Sequence, residues 1–179
     1  MAFLELAKRR FSVRSFAPAA VEDDKLTLVL EARRIAPTAA NKQPQRIFVI
    51  HAGSEAMDRL CSATSMIYGA PVALVVCWDT EAVWHNKREA WRRYTSGDMD
   101  CSIVATHMML QATELGLGTL WVRGFDARDI HEALELDDAL EVSCIIDVGY
   151  AAEGCTASPH HEIRFDLEHS VSALSDISR

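Results

Sequence analysis

The sequence has no Cys-x-x-Cys pair, no excess of positive charge, no internal repeat and no low-complexity tract. Its five cysteines (Cys61, Cys77, Cys101, Cys144 and Cys155) are scattered and odd in number. Three of them, Cys77, Cys101 and Cys144, fall inside apolar runs, where a free thiol behaves as a small hydrophobe. This fits a reduced, cytoplasmic setting better than a disulfide scaffold. A formal net charge of −8 speaks against a general nucleic-acid or anionic-membrane binder, since both need a positive footprint. The opening MAFLELAKRR lacks the long apolar region and small-residue cleavage site of a secretory signal. Also missing are GxGxxG after a strand, GxxxxGK followed by Ser or Thr, and GxSxG. A Rossmann dinucleotide fold, a P-loop NTPase and an α/β-hydrolase are each disfavoured.

The longest coherent pattern runs from Asp98 to Phe125, and it reads as a helix, a glycine stop and a strand. Asp98 is placed to cap the helix, and Asp100 complements the dipole of its first turn. Gly116 supplies a left-handed stop before Thr119–Val122. Apolar residues occupy nearly every face between Cys101 and Leu115, so this is a core helix or one shared between subunits. His107, Gln111 and Glu114 argue against a membrane span. His107 reads as a hydrogen-bonded interior or interface histidine.

Around this unit, short helices are expected at 2–9, 21–35, 54–65 and 126–134. Within 21–35, Leu26, Val29, Leu30 and Ile35 form the buried side. Strands are expected at Arg46–His51, at Pro71–Trp78 as a continuous apolar central strand, and at Glu141–Gly149. About four strands interleaved with six helices make an α+β or mixed α/β domain, and a chain of 179 residues is one domain by length.

Three segments carry chemistry-bearing residues. In RRFSVRSF, an extended backbone would put Arg10, Ser12 and Arg14 on one side. Two guanidiniums flanking a hydroxyl suit a phosphate, although a solvated basic turn is an equally simple reading. The loop APTAANKQPQ, residues 36–45, cannot continue a helix and offers Thr38, Asn41 and Gln43 as polar groups between small alanines. Residues 81–97 have helical propensity, with Trp84 and Trp91 seven apart on one expected face and Tyr94 nearby. These aromatics either pack or line a pocket. Adjacent His160 and His161 do not make a metal site, because neighbouring side chains diverge and no third ligand is evident.

Taken together and in order, these segments resemble the nitroreductase family of FMN-dependent oxidoreductases. The residues that carry the resemblance are Arg10-Phe11-Ser12-Val13-Arg14-Ser15-Phe16, then Ala36-Pro37-Thr38-Ala39-Ala40-Asn41-Lys42-Gln43-Pro44. A helix closing in Gly116-Leu117-Gly118-Thr119 and the late His161 to Arg164 segment follow. The resemblance implies a single nitroreductase-like domain over 1–179, with a mixed sheet flanked by helices in an interlocked homodimer. It further implies FMN as cofactor, NADH or NADPH as donor, and hydride transfer through flavin N5 to a small electrophilic acceptor. Carried over by position, Arg10, Ser12, Arg14 and Arg164 would hold the phosphate and ribityl chain. Pro37, Thr38, Asn41 and Gln43 would reach the other subunit's flavin. Trp121, Val122, Arg123 and Gly124 would pass beside the ring system, with a backbone N–H near Arg123 or Gly124 donating to N5. No protein acid, nucleophile or metal is required of this chemistry. Trp84, Trp91 and Tyr94 would set which planar acceptors stack, with Arg92, Arg93 and Arg123 favouring anions. Phe11 replaces a commonly basic residue, and Gln45 stands where many members have Trp. The competing readings are a non-catalytic flavin sensor or storage module, and a specialised branch such as a reductive dehalogenase or flavin-fragmenting enzyme.

Overall fold

The computed structural model describes residues 2–92 and 94–173. Six α-helices lie among them: α1 (Phe3–Arg9), α2 (Asp23–Ile35), α3 (Glu55–Ala63), α4 (Gly97–Glu114), α5 (Ala127–Ala133) and α6 (Leu167–Ser170). The four strands are β1 (Gln45–His51), β2 (Val72–Asp79), β3 (Gly118–Val122) and β4 (Leu140–Gly149). They form one sheet in the order β1-β2-β4-β3, and all three pairings are antiparallel. The parallel element of the sheet is a bridge from Ser12 to Thr119 on the β3 edge. This is an α+β fold.

Alternation along the central strands explains the layering. Val72, Leu74 and Val76 of β2, with Cys144, Ile146 and Val148 of β4, face one way and pack against α2 and α4. Ala73, Val75 and Cys77, with Ile145, face the other way, towards α3 and α5. Both faces of β2 are therefore covered, which accounts for its unbroken apolar run. Burial pushes the Cys77 and Cys144 thiols up to about 12 and holds Cys101 high as well, so these three are inert packing residues.

The helix boundaries follow local chemistry. Ser54 accepts from the Met57 amide at 3.2 Å and Asp126 from that of Arg128 at 2.9 Å, each a side-chain cap. At the end of α4, Leu117 N–H bonds Ala112 C=O at 2.8 Å and Gly116 N–H bonds Thr113 C=O at 3.1 Å. With Gly116 at φ 79°, this is a Schellman closure, as the glycine stop predicts.

Three expectations are corrected. Helix α4 starts at Gly97 after Ser96, and Asp98 does not cap it but accepts from Ser143 Oγ at 2.8 Å. Position 97 must be glycine because a Cβ there would run into the Trp78 indole. Ile35, at the last position of α2, is exposed; Leu26, Val29 and Ala32 make its buried side. Residues 81–92 and 94–96 are not in an α-helix. They form an irregular segment closed by a His85–Thr95 bridge, containing one 3-10 segment, Lys87–Arg92, kinked at Glu89. The polar side chains of Asn86 and Asp79 accept from nearby amides and so compete with helix hydrogen bonding.

Candidate flavin-phosphate cradle and opposing loop

The Arg10–Phe16 segment is laid along the sheet rather than left as a free turn. Val13 N–H donates to Thr119 C=O at 3.0 Å, and Ala17 N–H to Tyr150 C=O at 2.8 Å. Val13 is buried against Gly118, where a Cβ would sit 2.6 Å from its methyl. Glycine at 118 is what lets the basic segment approach β3. The late segment returns to the same place: His161 Nε2–H donates to Lys8 C=O at 3.1 Å, and the His161 ring meets Phe11 edge-on at 6.4 Å. Arg164 is thereby brought beside Arg10.

The electrostatics of this cluster are unusual for an acidic chain. Burial, and then the neighbouring Arg164 charge, push Arg10 below the ordinary guanidinium value. Arg10, Arg14 and Arg164 make no ion pair with a carboxylate among the described residues, whereas Lys8, Lys25, Arg34, Arg46, Arg59, Arg92 and Arg128 all do. Arg14 and Arg164 reach only backbone carbonyls, of Ser12 at 3.5 Å and Ile163 at 2.7 Å. Like charges held together without a counter-charge suit a polyanionic group such as a phosphate. From Ser12, β3 leads to Trp121 and Val122, where pairing with β4 ends, and on to exposed Arg123 and Gly124. Trp121 is half-buried against the α4 layer. The Arg123 guanidinium lies over the Phe125 ring at 5.0 Å and donates to its carbonyl at 3.4 Å.

The second motif lies elsewhere. Asp100, buried in the first turn of α4, accepts from Ala39 N–H at 2.8 Å and from Ser96 Oγ at 2.6 Å. That anchor holds the 37–43 loop at the N-terminal end of α4, where the helix dipole favours the carboxylate. Inside the loop, Thr38 Oγ1 accepts from Gln43 N–H at 3.0 Å, and Gln43 Nε2 reaches Asn41 C=O at 3.5 Å. Pro37, Asn41 and Gln43 are exposed and Thr38 half-buried. Ala40, Asn41 and Gln43 have φ of 49°, 52° and 49°, left-handed conformations that cost energy for non-glycine residues. Gln45 is buried with its Oε1 unpartnered among the described residues. Asp100 was legible in the sequence only as a dipole partner; its anchoring role depends on a contact 61 residues away.

Next to this loop stands the 81–96 segment. Trp84 and Tyr94 meet edge-to-face at 6.4 Å, while Trp91 is 80% exposed and carries only the Arg92 guanidinium, 5.9 Å from its ring. Trp91 is therefore not a core residue of this chain. Arg92 pairs with Glu89 at 3.5 Å, and Arg93 lies outside the described residues.

The two candidate segments thus lie apart within one chain. The 18 residues of α4 span about 27 Å at about 1.5 Å per residue. The guanidinium cradle sits by β3 just past its C-terminal end, and the loop and aromatic segment by its N-terminal end.

An α+β chain that holds Arg10 beside Arg164, with no carboxylate ion-paired to either among the described residues, has the charge arrangement that suits a phosphate-sized anion. A model of the nitroreductase family matches residues 7–65 and 56–150. The chain belongs to the nitroreductase family. It is similar to a solved nitroreductase family protein of Clostridium difficile 630, with 42% identity, a TM-score of 0.88, and coverage of 96% of this chain and 98% of that one. A Desulfovibrio desulfuricans structure, solved in complex with FMN, shows 29% identity and a TM-score of 0.78, covering 94% of each chain. An NADH dehydrogenase of Thermus thermophilus is 27% identical, with 92% of each chain covered.

Proposed function

We propose that this protein is an FMN-dependent oxidoreductase that takes hydride from NADH or NADPH and delivers it to a small electrophilic acceptor. The observation that carries the reading is that Arg10 and Arg164, held near each other, and Arg14 four positions after Arg10, make no ion pair with a carboxylate among the described residues of a chain of net charge −8. FMN, when bound, supplies the hydride chemistry at its N5 position. The residues present fit its phosphate: Arg10 and Arg164 offer forked donors, Ser12 a hydroxyl, and Arg14 a third charge. Trp121 to Gly124 would border the ring system, and the Arg123–Gly124 backbone, beyond the β4 pairing, would be free to donate to it. The Desulfovibrio relative's FMN and the NADH dehydrogenase name of the Thermus relative support the same cofactors here.

The working unit is a homodimer in which Pro37, Thr38, Asn41 and Gln43 of one copy face the cradle of the other. What supports this is the separation of the two segments along α4. Trp84, Trp91 and Tyr94 travel with the loop and would cover the acceptor. Among the described residues no helix is long and apolar enough to cross a membrane. With its five cysteines free, the chain suits a reduced cytoplasmic setting.

Purified protein should be yellow and release FMN, not FAD, on denaturation, and should oxidise NADH or NADPH steadily when an acceptor is added. A colourless protein that binds no FMN on titration overturns the reading. Bound FMN without NAD(P)H oxidation would leave a storage or sensor module instead.

A further inference from the structure

A second set of unpaired cations lies away from the cradle. A cleft of about 910 Å³ opens between the 37–43 loop and the 81–88 segment, and Lys42, Lys87 and Arg88 line it. None of these three side chains makes an ion pair or a hydrogen bond among the described residues, although acids outnumber bases by 26 to 18. Glu81 is the one carboxylate on the lining, which also includes His85. Half-buried Trp84 forms part of the wall, its position fixed by its edge-to-face contact with Tyr94. These are not the charges that sequence reasoning selected. Arg92 is neutralised by Glu89, and Arg123 is turned onto Phe125.

We infer that this cleft recognises the anionic group of a planar, aromatic redox partner, with Trp84 offering the ring face and Lys42, Lys87 and Arg88 the counter-charge. Solvated cations normally repel one another apart or find carboxylates. Three that line one cleft together with an indole match a ligand that has a flat apolar body and a negative substituent. The anionic group has two sources in the proposed reaction: a carboxylate or sulfonate on the acceptor, or the extra phosphate that distinguishes NADPH from NADH. The inference rests on the oxidoreductase reading only for the ligand's role as a redox partner; the binding chemistry stands on the cleft itself.

Two arms of one experiment separate the sources. Flavin-free protein is titrated calorimetrically with 4-nitrobenzoate and with its neutral isostere 4-nitrobenzamide, then with NADPH and NADH. The charged member of at least one pair should bind roughly tenfold tighter at low ionic strength, as expected for a few exposed charge contacts, and that margin should shrink with added salt. The triple substitution Lys42→Gln/Lys87→Gln/Arg88→Gln should erase the margin, and Glu81→Gln should widen it. Erasure in the nitrobenzoate arm assigns the cleft to the acceptor, and erasure in the dinucleotide arm assigns it to the cofactor phosphate. Equal affinities for both pairs in the unsubstituted protein, or a triple variant that weakens charged and neutral ligands alike, overturns the inference. Because these titrations need no flavin, their failure is distinguishable from a failure to bind FMN.

Discussion

At the scale of single residues, the informative side chains are those whose charge is left uncompensated. Arg10 is held near Arg164 at an electrostatic cost to the ligand-free chain. Replacing it by Gln removes that repulsion and, on the proposed function, one charge-assisted contact to phosphate. FMN affinity should fall by about 2 kcal/mol, roughly thirtyfold, while the melting temperature of flavin-free protein does not fall. Fluorescence titration and thermal melting of the same variant read the two effects. A variant that melts early and binds FMN normally would make Arg10 a packing residue. Asp147 carries the opposite lesson. It is fully buried in β4 with both carboxylate oxygens unpartnered among the described residues, and burial raises it from the ordinary 3.8 to about 8. Between about pH 4 and about pH 8 the unfolded chain has released this proton while the folded chain retains it. Stability therefore declines across that window as pH rises and levels off above it. Each pKa unit is worth about 1.4 kcal/mol, so the group's share is several kcal/mol. Asp147→Asn should flatten the difference between urea midpoints at pH 5 and pH 8. An unchanged slope in that variant would mean another group is responsible.

At the scale of elements, much was legible because the signals are local. Gly116 closes α4, Asp126 caps α5, and the run from Val72 reads as a strand covered on both faces, each from residues within a turn or two. What was not legible depends on distant partners. The need for glycine at 97 comes from Trp78, and at 118 from Val13. The anchor of the 37–43 loop comes from Asp100. The 81–96 segment misled because its composition favours helix while Asn86 and Asp79 side chains capture the amides a helix would use. Trp84 consequently lines the cleft beside the 37–43 loop, whereas Trp91 stands 80% exposed. A surface position of this kind tolerates truncation, so Trp91→Ala should leave stability within about 0.5 kcal/mol. If Trp91 stacks on the acceptor, the apparent KM for aromatic acceptors rises several-fold, with FMN affinity unchanged. Loss of folding, or an unchanged KM, removes Trp91 from acceptor binding.

At the scale of the whole molecule, the proposed homodimer needs an apolar surface that one chain leaves uncovered. Met108 and Met109 are buried within one chain by the sheet and α2, so a charge there would test folding rather than association. The unsatisfied surface is instead at Met99 on α4, 56% exposed, at Phe3 and Leu4 of α1, and along the late segment. There Ile163, Phe165, Leu167 and Val171 are 64–78% exposed, a run of apolar side chains that packs on little of its own chain. Such an arm is costly in water unless another surface receives it. Because Arg164 lies within that arm, docking it on a partner would fix one corner of the phosphate cradle as well as the dimer. Phe165→Asp/Leu167→Asp leaves Arg164 in place and removes two anchors from each copy. Full burial of each side chain is worth about 1.5–3 kcal/mol, so the dimer should dissociate at least a hundredfold more readily, with FMN occupancy falling in parallel. Light scattering at micromolar concentration, paired with the flavin absorbance of each fraction, reads both. Unsubstituted protein that runs as a monomer with FMN bound would refute the shared site, and a variant dimer of unchanged affinity would place the interface away from the arm.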